Sequence, residues 1–202
     1  MKLICIGRNY VKHIEELGNE KPESPIIFLK PDSALIKNNE PFYYPDFSTD
    51  IHYEVEVLVK IKKVGKSIPV NFAHKYYDEI GLGIDLTARD LQTKAKAKGL
   101  PWDLAKGFNG SAPISNFISK STFNVQDLNF SLKLNGNLVQ SSNTSLMLWS
   151  IDEIIAYVSQ YMTLKKGDIL FTGTPEGVGP IKIGDQLQGF IESQNMFDFE
   201  IR

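Results

Sequence analysis

Residues 52–59 read His52-Tyr53-Glu54-Val55-Glu56-Val57-Leu58-Val59, and the regular spacing of their valines predicts a β-strand. A period of two puts Tyr53 and the valines on one face and brings Glu54 and Glu56 side by side on the other, with His52 and Leu58. Apolar runs bounded by turn residues predict seven further strands, at residues 3–6, 26–29, 80–86, 130–134, 168–172, 186–191 and 196–201. The sequence therefore predicts a β-rich fold.

Turn residues separate the predicted strands near the carboxyl end. They form four clusters that tolerate tight or left-handed backbone: Asn135-Gly136-Asn137, Lys166-Gly167-Asp168, Ile183-Gly184-Asp185 and Ser193-Gln194-Asn195. We expect hairpins and antiparallel pairing there. Between residues 38 and 50, Pro41 and Pro45 predict an extended connection.

Three segments predict helices. Ser150 and Glu153 form a capping box ahead of apolar residues at helical spacing, which predicts an amphipathic helix over residues 151–162. Thr87 is the expected cap of a second helix that ends at Gly99, before Pro101. We assign the lysines near its end to a solvated face; they are Lys94, Lys96 and Lys98. A short third helix over residues 10–17 ends at Gly18.

Composition narrows the class of protein. The 202 residues include 22 Lys plus Arg and 24 Asp plus Glu, which gives a net charge of −2 and predicts one domain over residues 1–202 without a nucleic-acid partner. The single cysteine, Cys5, forms no internal disulfide, is expected in a buried strand and favours a reducing compartment. The apolar run before Arg8 is too short for a signal peptide or a membrane span, so we expect a cytoplasmic protein without a membrane partner.

Three carboxylates indicate a metal site. Glu54 and Glu56 share a strand face, and Asp85 falls within the apolar run of residues 80–86. An ionised carboxylate buried there costs several kcal/mol unless a positive charge compensates it. Oxygen ligands with few imidazoles and no thiolate favour Mg²⁺, Mn²⁺ or Ca²⁺. The alternative is a salt-bridged strand pair and a hydrogen-bonded Asp85.

Two further features are candidates for chemistry. Lys106 is a lone cation in an apolar, glycine-flanked segment, where it either holds a substrate carboxylate or extends to the surface. The loop over residues 171–179 contains three glycines and two threonines, whose backbone N–H groups either bind an anionic oxygen or belong to a tight structural turn. It lacks the Gly-Lys-Ser/Thr of a P-loop, so we expect no nucleotide.

His13 and Glu16 lie three residues apart on the predicted short helix. A carboxylate that binds one imidazole nitrogen fixes the tautomer and leaves the other nitrogen to activate water. This pair is the candidate base and its orienting group. Of the other two histidines, His52 shares the face of the two glutamates and could lie behind the metal ligands, whereas His74 is expected at the surface.

Six motifs in this order resemble the fumarylacetoacetate hydrolase family, in its short single-domain branch, over about residues 7–190. They are Gly7-Arg8-Asn9-Tyr10 with His13 and Glu16, Phe28-Leu29-Lys30-Pro31, His52-x-Glu54-x-Glu56, the run from Asp85 to Gln92, Gly99-Leu100-Pro101-Trp102 through Lys106, and the run from Thr172 to Pro180.

The resemblance implies an α+β fold, a β-rich mixed-sheet roll with few short helices, in a homodimer. It implies Mg²⁺ or Mn²⁺ on Glu54, Glu56 and Asp85, with no nucleotide or organic cofactor. By the same resemblance the catalytic residues are Lys106 at the substrate and the dyad of His13 and Glu16 on a mobile lid, and the pocket is lined by Arg89, Gln92 and Thr174. Arg89 is alternatively a structural partner of nearby acids.

Family members act on short 2-oxo acids, and the resemblance implies the same substrate class here. The expected activity is metal-dependent hydrolysis of a C–C bond in acylpyruvates, with oxaloacetate decarboxylation as a further activity. The alternatives are an isomerase or tautomerase of 2-hydroxy-dienoic acids or oxaloacetate, and a catalytically silent metal-binding module. The segments at residues 19–25 and 107–116 leave the distal group of the substrate undecided.

Overall fold

The computed structural model describes residues 1–202. It contains five α-helices: α1 (Val11–Glu16), α2 (Val70–Ala73), α3 (Arg89–Ala97), α4 (Asp103–Lys106) and α5 (Ile151–Tyr161). The fifteen strands are β1 (Leu3–Gly7), β2 (Ile26–Lys30), β3 (Leu35–Ile36), β4 (Ile51–Tyr53), β5 (Val55–Ile61), β6 (Tyr77–Ile84), β7 (Thr87–Ala88), β8 (Ala112–Pro113), β9 (Ile118–Ser119), β10 (Asn129–Leu134), β11 (Asn137–Asn143), β12 (Ile169–Phe171), β13 (Gly179–Pro180), β14 (Gln186–Ile191) and β15 (Gln194–Glu200). Short 3₁₀ turns occupy Asp32–Ala34, Lys120–Thr122 and Thr144–Leu146.

Two larger sheets build the molecule. A six-stranded sheet has the order β2-β1-β12-β5-β6-β9, in which β1 and β12 are parallel and the other neighbours are antiparallel. A four-stranded antiparallel sheet has the order β11-β10-β14-β15. The remaining short strands form a three-stranded sheet, β13-β4-β7, and a pair, β3-β8. The predicted β-rich α+β fold with mixed sheets and few helices is confirmed.

Strand β5 is buried on both faces, and it connects three clusters of core residues. Val55 and Val57 pack in the largest cluster with side chains of the four-stranded sheet such as Phe130. Val59 packs in a second cluster, which contains the apolar face of α5. On the opposite face of β5, Leu58 packs with Cys5, which is fully buried in β1 as the sequence predicts. A polar side chain in the first half of β5, such as Glu56, therefore lies in the protein interior.

The three predicted helices form close to their predicted positions, as α1, α3 and α5, but the predicted cap of α3 is wrong. Helix α5 begins with the predicted capping box: the Ser150 hydroxyl accepts from the Glu153 backbone N–H, and the Glu153 carboxylate accepts from the Ser150 backbone N–H. Thr87 as the cap of α3 is wrong, because Thr87 belongs to β7 and its hydroxyl donates to the Asp85 carbonyl. Helices α2 and α4 have four residues each, too few to show a helical period.

The antiparallel pairing expected at the carboxyl end is confirmed by two hairpins. The first joins β10 and β11 through Asn135 and Gly136, which both adopt positive φ. The second joins β14 and β15 through residues 192–193, slightly earlier than the predicted turn. The connection that contains Pro41 and Pro45 forms no helix, as expected.

None of the five helices combines the length and the apolar character that crossing a membrane requires. The longest, α5, has 11 residues.

The capping box of α5 gives a stability prediction. Replacing Ser150 with Ala removes the acceptor for the Glu153 N–H, and we expect a loss of about 1 kcal/mol in the free energy of unfolding. Urea denaturation monitored by circular dichroism measures it. The matched control is Ser141→Ala on β11, where the exposed serine should change stability by less than about 0.5 kcal/mol. Equal unfolding midpoints for the two variants would contradict a capping role.

Candidate metal centre and active site

Three buried carboxylates converge at one end of the β5–β6 pair. Glu56 lies on β5 opposite Gly83, and Asp85 follows the last residue of β6 rather than lying inside the strand, as the sequence had suggested. Glu54 occupies a break between β4 and β5, and its carbonyl accepts from the Asp85 backbone N–H at 2.8 Å. One ligand atom from each carboxylate lies within 4.8 Å of the others. The structure therefore brings all three predicted metal ligands together.

A side chain from β11 explains the break at Glu54. The Val55 backbone N–H donates to the Gln140 side chain on β11 at 2.9 Å instead of continuing a strand ladder. The Gln140 amide donates in turn to the Thr174 hydroxyl at 3.0 Å. Gln140, which the sequence analysis did not single out, thus connects the segment of Glu54 and Val55 to the glycine-rich loop, residues 171–179.

Cations surround two of the three carboxylates. Lys106, at the end of α4, places its Nζ 2.8 Å from Glu54 Oε2, 2.6 Å from Asp85 Oδ2 and 2.5 Å from the Thr87 hydroxyl. Lys106 is only 3% exposed, so the surface alternative for this residue is wrong. Arg89, the first residue of α3, places its Nη2 2.5 Å from Glu54 Oε1. Arg89 is therefore a partner of a predicted metal ligand.

Lys30 supplies a further cation, which sequence reasoning did not assign. It ends β2, is 2% exposed and forms an ion pair with Asp85 Oδ1 at 2.7 Å. Its ammonium also donates to the carbonyls of Leu86, Lys106 and Ser111. The sequence did contain a signal for a buried Lys30: it is a charged residue that ends the apolar run Ile26-Ile27-Phe28-Leu29, directly before Pro31.

The charges in this cluster are unevenly compensated. Burial opposes ionisation of Glu54, but Lys106 and Arg89 outweigh burial and hold the pKa of Glu54 well below its usual value. Burial likewise opposes charging of Lys106, but Asp85 and Glu54 outweigh it and raise the pKa of Lys106. Burial and the neighbouring Asp85 raise the pKa of Glu56 well above its usual value. Glu56 thus has the least compensation.

These residues fit a divalent metal ion. The donors are carboxylate oxygens, which Mg²⁺ and Mn²⁺ prefer. The Glu56 carboxylate accepts one hydrogen bond, from the Gly173 backbone N–H at 2.6 Å, and forms no ion pair, whereas Asp85 pairs with Lys30 and Lys106. A divalent cation would supply the missing positive charge for the Glu56 carboxylate, which the structure buries to 2% exposure.

The His13–Glu16 pair forms as predicted. Both residues lie on α1, and His13 Nδ1 is 3.2 Å from Glu16 Oε2. Glu16 Oε1 accepts from the Gly177 backbone N–H at 2.9 Å, which fixes the carboxylate from its other side. His13 is largely buried and lines the same cavity as the carboxylate cluster. The structure therefore places a histidine with an oriented ring beside the candidate metal ligands.

The glycine-rich loop binds two of the site's carboxylates through its backbone. Two of its backbone N–H groups, those of Gly173 and Gly177, bind the carboxylates of Glu56 and Glu16. Gly173 has a φ of +102°, and a Cβ there would lie 2.6 Å from the Cβ of Asn9, so a side chain is excluded by both conformation and space. The anions that this loop binds belong to the protein itself.

The three predicted substrate-binding residues line the same cavity as the cluster and the dyad. Arg89 Nη1 donates to Gln92 Oε1 at 2.7 Å, which fixes both side chains on α3. Thr174 is nearly buried and accepts from Gln140. Arg89 combines both alternatives of the sequence analysis, because it pairs with Glu54 and also faces the cavity.

Two more cations line this cavity, Arg8 and Lys96. Lys96 is exposed, as predicted, and its Nζ lies over the Trp102 ring, 5.5 Å from the centroid, where it also lines the cavity. Lys94 and Lys98 are exposed as expected. Arg8 lies in the motif Gly7-Arg8-Asn9-Tyr10, but the sequence analysis assigned it no role. His74 is exposed as predicted, and His52 pairs with Asp50 outside the residues that line the cavity.

Comparison with known proteins gives the family. The family model described as fumarylacetoacetate (FAA) hydrolase, C-terminal, matches residues 2–202. The chain is 40% identical over 200 residues to the human protein named oxaloacetate tautomerase FAHD1, mitochondrial, covering 98% of this chain and 90% of the relative.

Solved structures agree. The crystal structure of fumarylpyruvate hydrolase from Pseudomonas aeruginosa, in complex with Mn²⁺ and pyruvate, superposes with a TM-score of 0.94 at 33% identity, covering 100% of this chain and 89% of that one. The structure of 2-hydroxyhepta-2,4-diene-1,7-dioate isomerase from Mycobacterium marinum gives a TM-score of 0.87 at 32% identity, covering 99% and 73%. This chain belongs to the fumarylacetoacetate hydrolase family, whose members among these relatives are hydrolases, isomerases and tautomerases.

Proposed function

We propose that this protein is a divalent-metal-dependent hydrolase that cleaves a C–C bond of acylpyruvate-type 2,4-dioxo acids. The observation that carries the proposal is that one cavity is lined by the carboxylates of Glu54, Glu56 and Asp85 and by His13, which Glu16 orients. A purely structural ion would need the carboxylates but not the histidine pair. The arrangement therefore favours catalysis over a silent metal-binding module.

The carboxylates of Glu54, Glu56 and Asp85 would hold Mg²⁺ or Mn²⁺, and a bound ion supplies Lewis acidity toward the 2-oxo oxygen of the substrate. The Pseudomonas relative described with Mn²⁺ and pyruvate supports this choice of ion and of substrate class. Lys106 and Arg89 hold Glu54 ionised and so keep the ligand charged at neutral pH. Their positive charge also favours an acid at this end of the cavity.

His13 is the proposed general base. Because its Nδ1 faces Glu16 at 3.2 Å, its Nε2 is left to take a proton from water. The water oxygen bonds to the distal carbonyl carbon, and the bond between that carbon and C3 breaks. The bonding electrons pass to the pyruvate fragment, which takes up a proton at C3. The products are pyruvate and a carboxylic acid.

Tautomerisation of oxaloacetate is the second candidate, and the names of the human, bovine and mouse relatives favour it. This reaction moves one proton between C3 and the 2-oxo oxygen and needs no attacking water. His13 can carry that proton from the same position. Decarboxylation of oxaloacetate would leave the bonding electrons as negative charge on the 2-oxo end of the product, and this step needs no general base.

The proposal includes a homodimer of one-domain chains that acts in the cytoplasm. The relatives named oxaloacetate tautomerase FAHD1 are called mitochondrial, so the family works in more than one compartment under this proposal.

The metal-dependent step is tested by pyruvate release from acetylpyruvate. We expect EDTA to abolish release, and Mg²⁺ or Mn²⁺ to restore it in the wild-type protein. Glu56→Gln removes one ligand charge and should lower kcat/KM by at least about 100-fold. Glu200→Gln, an exposed position on β15, is the matched control and should have no effect. Release that is insensitive to EDTA would contradict metal dependence.

The role of the dyad is tested by comparing two substrates. His13→Ala should lower acylpyruvate hydrolysis by about 10²- to 10⁴-fold, because the base that activates water is lost, and should leave oxaloacetate decarboxylation within a few-fold of wild type. His74→Ala at the surface is the control. If the His13 variant retained both activities equally, water activation by the dyad would be refuted.

The lid expected at α1 is tested by hydrogen exchange. Helix α1 has six residues, of which only His13 and Ile14 are buried, so we expect its amides to exchange much faster than those of β5 in the free protein. Mass spectrometry of the exchanged protein, with and without Mg²⁺ and pyruvate, measures both states. Protection at α1 equal to that of β5 without ligand would count against a lid.

A further inference from the structure

We propose that Gln140 is a positioning residue for both halves of the active site. It fixes the segment that carries the metal ligands and, through the glycine-rich loop, the His13–Glu16 dyad. The inference rests on the proposed function and deepens it, because it names a residue that does not line the cavity but sets its metal affinity and the docking of α1. Gln140 lies on β11 in the four-stranded sheet, whereas Glu56 lies on β5 in the six-stranded sheet.

The burial of Gln140 is unusual for its strand. Gln140 is 1% exposed and is the only buried residue of β11, whose other six residues are exposed or half-buried. An amide in the protein interior is unfavourable unless its donors and its acceptor are all bound. Packing alone would favour an apolar side chain at this position, so the role of Gln140 lies in the contacts of its amide.

A β-bulge brings β11 against the glycine-rich loop. Residues 132–133 of β10 face residues 138–140 of β11, so Val139 is an extra residue in its strand. Bulges redirect the side chains beside them and are frequent next to active sites. A Cβ on Gly177 would overlap the Val139 carbonyl oxygen, which shows that the loop packs directly on the bulge. The loop therefore contacts β11 at two adjacent residues, Val139 and Gln140.

The acceptor of the amide fixes the metal ligands. Gln140 Oε1 accepts from the Val55 backbone N–H at 2.9 Å, and Val55 lies between Glu54 and Glu56 in the chain. The carbonyl of the same peptide unit, that of Glu54, accepts from the Asp85 backbone N–H at 2.8 Å. This peptide unit is thus bound from both sides, and it connects the backbone of all three predicted ligands to Gln140.

The donors of the amide fix the glycine-rich loop. Gln140 Nε2 donates to the Thr174 hydroxyl and to the Pro175 carbonyl, both at 3.0 Å. These two bonds use both N–H groups of the amide, and the Val55 N–H uses its oxygen, so the partners determine the orientation of the amide. Gln140 therefore acts through the two segments that it holds and makes no contact of its own with a ligand in the cavity.

The loop extends this constraint to the dyad. Directly before the residues that Gln140 holds, the Gly173 backbone N–H binds Glu56 at 2.6 Å. Shortly after them, the Gly177 backbone N–H binds Glu16 at 2.9 Å. The loop thus contacts a metal ligand on one side of its anchor and the orienting group of the dyad on the other. Loss of the anchor would loosen both contacts.

The first test measures Mn²⁺ affinity by calorimetry without substrate. Gln140→Met keeps the length of the side chain and removes its three hydrogen bonds. We expect about 10-fold weaker Mn²⁺ binding, the lower end of the effect of removing a group that orients metal ligands. Gln126→Met, at an exposed position, is the control and should bind Mn²⁺ like the wild type. Unchanged Mn²⁺ affinity in Gln140→Met would overturn the inference.

A double-mutant cycle separates positioning from a general loss of stability. Thr174→Val removes one acceptor of the Gln140 amide and should weaken Mn²⁺ binding about 3-fold in the wild type, but not in Gln140→Met, where the contact is already lost. Thr174→Ser keeps the hydroxyl and should match the wild type. Additive effects of the two substitutions would overturn the inference. If Gln140→Met did not fold, the difference between Thr174→Val and Thr174→Ser would decide.

Hydrogen exchange at α1 is the second readout, measured without metal or substrate. We expect the amides of α1 to exchange about 10-fold faster in Gln140→Met, because the Gly177 N–H then holds Glu16 less firmly. Val158→Ala is the stability control: it removes buried volume within α5 and should speed exchange there without a matching change at α1. Equal acceleration at α1 in both variants would overturn the inference, because Gln140 would then act through the fold as a whole.

The two readouts separate this inference from the proposed hydrolase. A protein whose Mn²⁺ affinity and α1 exchange respond to Gln140→Met, but which releases no pyruvate from acetylpyruvate, would refute the proposed activity and support the positioning role. A wild-type protein that binds no Mn²⁺ would refute the metal dependence of the proposed function and the role of Gln140 toward the metal ligands. Faster exchange at α1 in Gln140→Met would then still support its role toward the dyad.

Discussion

The burial of three carboxylates is the constraint on which the rest of the structure depends. Glu54, Glu56 and Asp85 are 5%, 2% and 1% exposed, and an ionised group at such a position costs several kcal/mol unless positive charge lies close by. Lys106 from α4 and Arg89 from α3 supply that charge to Glu54. Helices α3 and α4 therefore have to lie close to the end of the β5–β6 pair, where these two cations contact Glu54.

Lys30 shows how the same constraint extends across the molecule. Its ammonium pairs with Asp85 and also donates to three backbone carbonyls, from Leu86, Lys106 and Ser111. One buried cation on β2 thus fixes the residue after β6, the end of α4 and the segment before β8. Such a group stabilises only when every partner is in place, because a buried ammonium with missing partners is strongly unfavourable. The position of the metal ligands is consequently coupled to strands at opposite sides of the large sheet.

The sequence was sufficient where a feature is local. The alternation of residues 55–59, the capping box at Ser150 and the Asn135-Gly136 turn each describe a few neighbouring residues, and the structure confirms them. The same patterns could not predict the break at Glu54, because its cause is a hydrogen bond from Val55 to Gln140, 85 residues away. Arg8 was missed as a cavity residue for the same reason, because only tertiary structure distinguishes it from an arginine at the surface.

The charges around the cavity suit each of the reactions for which the relatives are named, because all of them would develop negative charge at the same end of a 2-oxo acid. Near the carboxylate cluster, Lys30, Lys106 and Arg89 pair with Glu54 and Asp85 and leave Glu56 without a cation, so that a divalent ion there would make this end positive toward a 2-oxo acid. Negative charge that develops on the 2-oxo oxygen is favoured there whichever bond of the substrate changes. Under the proposed function, the choice of reaction then depends on which atoms of the bound acid His13 can reach from its place in the cavity wall.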